Sequence, residues 1–330
     1  MGDLSIELVI VLLLILGAEF VNGWTDAPNA IATVVSTRVL SPRTAVIMAT
    51  LLNIAGAMSG TAVAATIGKG IVQAEAINLV TVGAAMVSII TWSTFAWRFG
   101  LPTSESHALI SGLAGATLAT GGFDMLIWSG WQKVLIGLGF STFLGFGGGW
   151  LIIVLIMWAY RNYAPATVRK IFGNLQVLSA AFMGFGHGSN DGQKFIGVFT
   201  LALLLGGAIT SFHVRWEVII LCSVVMGIGT SIGGWRIIKT MGLRMVRLEP
   251  YQGFAAETSA ATAIQIASVL GIPLSTTHTI NTAIMGAGSV KRLSAVRWGV
   301  VGEVVMAWIL TFPVCGILSF LVAWVASIIF

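Results

Sequence analysis

Long apolar runs, each interrupted by a few polar residues, set the pattern of this chain. Residues 4–40 are apolar except for a cluster at 23–30, Gly-Trp-Thr-Asp-Ala-Pro-Asn-Ala, and a basic turn follows at 38–43. A second run covers 44–67. A loop with Lys69 and Glu75 leads to 77–97, and Gly100 and Pro102 separate that run from 104–120. Residues 131–160 form one long run, and 161–170 are a short polar link containing Pro165. The order then returns: 175–205 with a second polar cluster, 218–235, a basic loop to Arg247, the pair 254–270 and 275–288 split by Gly271-Ile272-Pro273, and 298–330. Most runs approach or exceed the roughly 20 residues a helix needs to cross a bilayer. The pattern predicts an all-α polytopic membrane protein. Glycine and proline inside the runs predict broken helices, with breaks at 23–28 and in 175–205, and the pairs 77–120 and 254–288 predict re-entrant helical hairpins.

Composition supports this reading. The chain has 330 residues, 57% hydrophobic and 9% charged, against about a quarter charged in an average soluble domain. It is no soluble enzyme and no nucleic-acid binder, because the net charge of +5 records loop basicity rather than an anionic macromolecular partner. The N-terminus has no basic n-region and no A-x-A site, which argues against a cleaved signal. Cys222 and Cys315 are too few for a disulfide framework or a metal centre. The 40 glycines, as at 145–150 and 227–235, suit close helix contact in lipid.

The halves match. Aligning Asp26 with Asp191 pairs Gly23 with Gly188 and Thr25 with Asn190. GLPTSESH at 100–107 likewise aligns with GIPLSTTH at 271–278, keeping Gly, Pro, Ser and His. The offset is 165 for the aspartates (191 minus 26) and 171 for the histidines (278 minus 107), as in diverged repeats with a few extra loop residues in the second. Residues 1–165 and 166–330 are therefore expected to be two repeats. Suppose each interrupted run crosses once and each hairpin returns to its own side. The arginines and lysines at 38, 43, 161, 169, 170, 236, 239, 244, 247, 291, 292 and 297 then share one face, against Lys69, Lys133 and Arg215 on the other, a positive-inside bias. Both termini then lie outside, the repeats are inverted, and the Pro-Ser-His tips can meet at midplane. The run 4–40 would be roughly 55 Å as one straight helix, so it must tilt, bend or protrude.

A charge at bilayer depth is costly unless it faces protein, water or an ion, so Asp26 and Asp191 are functional candidates. Inverted repeats with polar interruptions at midplane are the plan of secondary transporters, in which half-helix N-termini face an anion and carboxylates or carbonyls hold a cation. The hairpin tips suit the anion. Ser104, Ser106, Ser275, Thr276 and Thr277 supply hydroxyls beside free helix N–H groups, and Asp26, Asn190, Asp191 and Gln193 complete the expected anion site; no arginine or lysine lies in either tip. Asp26, Asn29, Asn190 and Asp191, with Glu257 as a coupling group, suit a hard cation, sodium or a proton.

Each feature has a structural reading too. Ser104 and Ser275, three residues before His107 and His278, have cap spacing, with the histidine in the place of a reach-back group. Lys194 either neutralises Asp191 or attracts the anion. Glu105 is either a solvated helix-start charge or a pocket residue, and Glu257 and Asn53 are either polar helix contacts or coupling groups. Glu19 and Glu303 have no assignment. Trp97, Trp131, Trp158, Trp216 and Trp298, near run ends, read as interfacial anchors.

At these motifs the chain resembles the PiT family of inorganic phosphate transporters. GWTDAPNAIAT is similar to that family's first signature, GHGSNDGQKFIG to its second, and PTSESH and PLSTTH to its paired hairpin motifs; GTSIGGWRIIKTMG at 229–242 resembles the bacterial branch. The chain departs from the pattern at Thr25, where His or Asn is usual, at Pro28, where a small residue is usual, and at Asn53, where some members carry Glu. The resemblance implies symport of inorganic phosphate with sodium or protons across the cytoplasmic membrane, by a homodimer that needs no cofactor. The residues alone reach an anion–cation symporter. A sulfate permease of the same architecture and, remotely, an intramembrane aspartyl protease with Asp26 and Asp191 as its dyad are the alternatives. Against the protease, Gly188-Ser189-Asn190-Asp191 is not the G-x-G-D motif of that class.

Overall fold

The computed structural model describes residues 5–70 and 77–329, without the side chains of 69 and 70. Glu75 and the Lys69 side chain, placed in an outer loop by the sequence, lie outside the described residues. All regular structure among the described residues is helical. Four helices are long and apolar enough to cross a membrane, or six if each of two bent pairs is one span.

Helix α1 (Ile6–Ser36) begins at Ser5, whose side chain accepts a hydrogen bond from the Leu8 N–H at 3.2 Å, satisfying one orphan donor of the first turn. It does not break at 23–28 as expected. It runs unbroken with Pro28 inside, and the break lies in its neighbour. Helices α9 (Trp216–Ile232) and α10 (Trp235–Lys239) are joined through Gly233 and Gly234, with φ of 88° and 47°, and the pair bends by 58°. A Cβ on Gly234 would lie 2.8 Å from both the Pro28 ring and the Trp24 carbonyl oxygen, the carbonyl a proline four residues on leaves without its helical partner. The proline is accommodated because the chain beside it gives way.

The second half shows the counterpart. Run 175–205 does not break either: α7 (Pro165–His187) passes through one π turn, Gly188–Gly192, into α8 (Gln193–Leu205), with helical backbone angles at the junctions. Such single wide turns often mark functional sites. The break again lies opposite, between α2 (Pro42–Ala57) and α3 (Ala62–Gly70), bent by 69° where one straight span was expected. Gln193 bridges it, its side-chain oxygen accepting from the Val63 N–H at 3.1 Å. The expected basic loop to Arg247 is instead α10 with a π turn, Thr240–Met245.

The hairpins form as predicted. α4 (Leu79–Phe99) turns at Gly100, φ 70°, into α5 (Glu105–Gly121), and α11 (Pro250–Val269) turns at Gly271, φ 66°, into α12 (Thr276–Ser289). α6 (Trp128–Ala159) follows the first hairpin and α13 (Trp298–Ile329) the second. Packing is exchanged between halves: α5 lies on α13 as α12 lies on α6, and α1 crosses α9 as α7 crosses α2. Glycines set these crossings. A Cβ on Gly23 would lie 2.2 Å from the Met226 carbonyl oxygen and one on Gly229 2.2 Å from that of Phe20; on the other side, Gly56 meets the Phe185 carbonyl at 2.0 Å and Gly188 that of Asn53 at 2.1 Å. Backbones in contact are what small residues permit where lipid supplies no hydrophobic drive.

Two large apolar cores result, beside a small third of Ala84, Ala116 and Ala323. Leu8, Val11, Ile15 and Ala18 of α1 join one, with parts of α4, α5 and α8; Ala30, Ile31 and Val34 join the other, with parts of α7, α11 and α12. The polar cluster of α1 lies between them. Trp158, Trp216 and Trp298 are exposed near helix ends, as interfacial anchors are, whereas Trp97 packs on Trp24 at 4.3 Å beneath the Arg236 guanidinium.

Candidate functional site

Helix α1 carries a polar stripe at Glu19, Asn22, Asp26, Asn29 and Thr33, all buried. Spacings of three and four put them on one face. The middle of this stripe meets the π turn and both hairpin tips. Ser104 and Ser275 touch, their hydroxyl oxygens 2.8 Å apart, and each caps its own helix by accepting from the N–H of His107 at 3.4 Å or His278 at 3.2 Å.

Adjacent hydroxyls at the start of α12 link the two aspartates. Thr277 donates to Asp26 at 3.3 Å, and Thr276 donates to Asp191 at 2.5 Å. The Asn29 amide donates to both threonines, at 3.0 Å to Thr277 and 3.4 Å to Thr276. Asp191 also meets His187 Nε2 at 3.2 Å and forms an ion pair with Lys194. Lys194 is itself buried and donates to Ser106 at 2.6 Å and to the Leu274 carbonyl at 2.8 Å, one partner from each tip. The tips therefore contain no basic residue of their own but receive a cationic side chain from α8, which corrects the expectation of a pocket without one. A lysine reaches that far because its charge sits at the end of a four-carbon stem.

Glu105 is 2% exposed, so it is a pocket residue and not a solvated charge. One oxygen accepts from Thr25 at 3.1 Å; the other has no hydrogen bond of normal geometry among the described residues, although the Ser93 side chain stands beside the carboxyl group. Thr25, where the family pattern has His or Asn, thus donates to Glu105. Ligand atoms of Asp26, His187 and Asp191 lie within 4.8 Å of one another, a spacing at which they could hold one cation. His187 is the residue the sequence reading missed. Its signal was present, four residues before Asp191 on a helix.

Other candidates stand apart. Asn190 is occupied in positioning the second tip: its oxygen accepts from the Leu274 N–H at 3.1 Å, and its amide donates to the Ile272 carbonyl at 3.2 Å and to Ser268 at 3.0 Å. Gln193 faces the α2–α3 break. Glu257 accepts from Thr33 at 2.5 Å, from Gln176 at 3.0 Å and from Ser179, about 10 Å along α1 from Asp26 at 1.5 Å per residue. Asn53 bridges His187, at 3.1 Å, and Thr230, at 3.0 Å, as a polar helix contact. The histidine rings of the tips do not reach back to cap. They pack on each other at 4.5 Å, with Phe312 beside His107 and Trp308 edge-on to His278.

A protease dyad shares one proton between carboxyl groups in direct contact. Here Asp191 is committed to Lys194, His187 and Thr276, which leaves no such arrangement.

The sequence pattern of the phosphate transporter family matches residues 22–319. A probable low-affinity inorganic phosphate transporter of Rhizobium meliloti is 42% identical over 313 residues, covering 94% of each chain. One of Bacillus subtilis, with the same description, is 36% identical over 100% of both. Among solved structures, a sodium-dependent phosphate transporter superposes with a TM-score of 0.89 at 23% identity, covering 99% of this chain and 100% of that one, a likeness of fold.

Proposed function

The chain belongs to the phosphate transporter family, and from that premise we propose that it is a secondary symporter, carrying inorganic phosphate with a cation across the cytoplasmic membrane. The observation that carries this reading is the pair of adjacent hydroxyls, Thr276 and Thr277, each held by one of two buried aspartates at matched positions. Phosphate and cation then share one neighbourhood, so each lowers the electrostatic cost of the other. That mutual dependence is what coupling means in free-energy terms.

In this reading the tips take the anion, through the N–H groups and hydroxyls at the starts of α5 and α12, with the Lys194 ammonium beside them. Asp26 and Glu105 take the cation. The two halves are inverted repeats, supported by the exchanged packing of α5 and α12 and by the matched glycine crossings. Alternating access consists of the tips parting toward one side and then the other, with both termini outside. The solved relative is a sodium-dependent transporter, which favours sodium over the proton as coupling ion.

The test is phosphate uptake into proteoliposomes with sodium and pH gradients imposed separately. Uptake above the equilibrium level with an inward gradient of either ion is expected, and equal uptake with and without both gradients would contradict symport. Anion choice gives a further expected result. A carboxylate near the anion accepts a hydrogen bond from the P–OH of hydrogen phosphate but repels sulfate, which has no proton to offer near neutral pH. Sulfate in large excess should therefore leave phosphate uptake almost unchanged, and competition at parity would move the chain to sulfate transport.

A further inference from the structure

The aspartates occupy matched positions, and so do the residues three places beyond them, which differ. Asp26 is followed by Asn29 and Asp191 by Lys194. On the Asp26 side the neutral amide of Asn29 donates only to threonine hydroxyls. One oxygen of buried Glu105 has no hydrogen bond of normal geometry among the described residues. That side holds two buried carboxyl groups with no ion-pair partner among the described residues.

The Asp191 side is filled. The Lys194 ammonium, in a side chain 1% exposed, donates to Asp191, to the Ser106 hydroxyl at 2.6 Å and to the Leu274 carbonyl at 2.8 Å. A carboxylate, a hydroxyl and a backbone carbonyl are the hard oxygen donors that a bare metal cation takes. An ammonium has three donors and no acceptor, so these three oxygens use it completely. Ser106 also donates to the Leu274 carbonyl at 2.9 Å, which closes the set.

We propose that Lys194 is a tethered cation occupying the ion site on the Asp191 side, so that a mobile coupling ion binds only on the Asp26 side, among Asp26, Thr25 and Glu105. This inference rests on the cation-coupled reading above. A two-fold arrangement offers two ion sites; here the protein supplies the occupant of one, and its charge stays in place whether or not substrate is bound. Lys194→Asn makes the two sides alike and frees the oxygens of Asp191, Ser106 and Leu274 for an external ion.

The experiment measures radioactive sodium bound at equilibrium to the purified full-length protein, in the presence of phosphate, for the wild type, Lys194→Asn, Lys194→Gln and Lys194→Arg. The expected result is one more sodium ion per chain in Lys194→Asn and Lys194→Gln than in the wild type, and no increase in Lys194→Arg, which keeps the charge. Equal sodium binding in all four overturns the proposal, as does an increase in Lys194→Arg. Should the asparagine variant not survive purification, Lys194→Met, closer in volume and neutral, takes its place with the same expected gain. Wild-type uptake that ignores every cation gradient would overturn the coupled reading itself, whereas coupled wild-type uptake with no gain of sodium in the neutral variants overturns the Lys194 assignment alone.

Discussion

Asp26→Asn is expected to abolish gradient-driven phosphate uptake and to leave the protein at least as stable as before, whereas Asp191→Asn is expected to abolish uptake and destabilise it. The two aspartates look alike in sequence but have different partners. No ion pair reaches Asp26 among the described residues, and its hydrogen bond from Thr277 is 3.3 Å long. Replacing it leaves no buried partner charge stranded, so function is lost and stability is not. Asp191 balances buried Lys194. Removing one member of a buried pair leaves the other uncompensated, at a cost of about 3–5 kcal/mol. The double variant Asp191→Asn, Lys194→Met should therefore recover most of that stability while remaining inactive. Thermal unfolding in detergent beside uptake in proteoliposomes reads both effects. Equal destabilisation by Asp26→Asn and Asp191→Asn would remove the distinction, and uptake near the wild-type rate in either would remove the site.

Gly188→Ala should be as damaging to transport as losing a ligand, though no atom of Gly188 need touch substrate. Its added Cβ would lie 2.1 Å from the Asn53 carbonyl oxygen of α2, and backbone at that position cannot rotate away as a side chain could. The helices must move apart by about 1 Å. Overpacking of this kind destabilises by about 1–3 kcal/mol. The displaced segment is the π turn carrying Asp191, and misplacement of about 1 Å at a reacting or binding group lowers rates about a hundredfold. Gly173→Ala is the control. It lies in the same helix with nothing within 4 Å of its Cβ position, so it should be neutral or stabilising by up to about 1 kcal/mol, the helix-propensity gain of alanine over glycine. Uptake by Gly188→Ala equal to that of Gly173→Ala would show that the crossing is not tight.

Much of this architecture can be read from residues at fixed intervals. Gly100-Leu101-Pro102 and Gly271-Ile272-Pro273 mark the hairpins because a left-handed glycine and a proline stop one helix, and Ser104 and Ser275 start the next. Asp26 and Asp191 stand out because a carboxylate in an apolar run needs a reason to be there. What could not be read is relational. Pro28 marks a break correctly but in the wrong helix, since whether α1 bends or its neighbour does depends on Gly233 and Gly234, which are more than 200 residues away. Lys194 seemed outside the tips because sequence shows where a Cα lies in the chain, not where a long side chain ends. Glu257 stands in an apolar run as the aspartates do, and only the fold shows that its hydrogen-bond partners are Thr33, Gln176 and Ser179. The sequence pattern of His107 and His278 could not separate a cap from a ring contact, as both need the same position after the serine.

The central claim is that phosphate passes between the two hairpin tips, and a reversible bond between them tests it most directly. Ser104 and Ser275 place their oxygens 2.8 Å apart, so Ser104→Cys with Ser275→Cys, on a background with Cys222 and Cys315 replaced by alanine, brings two thiols within disulfide reach. Uptake in proteoliposomes is measured after mild oxidation and again after reduction. The account predicts that the disulfide stops uptake, that reduction restores it, and that neither single-cysteine protein responds. Wild-type uptake by the fully cross-linked protein would contradict it.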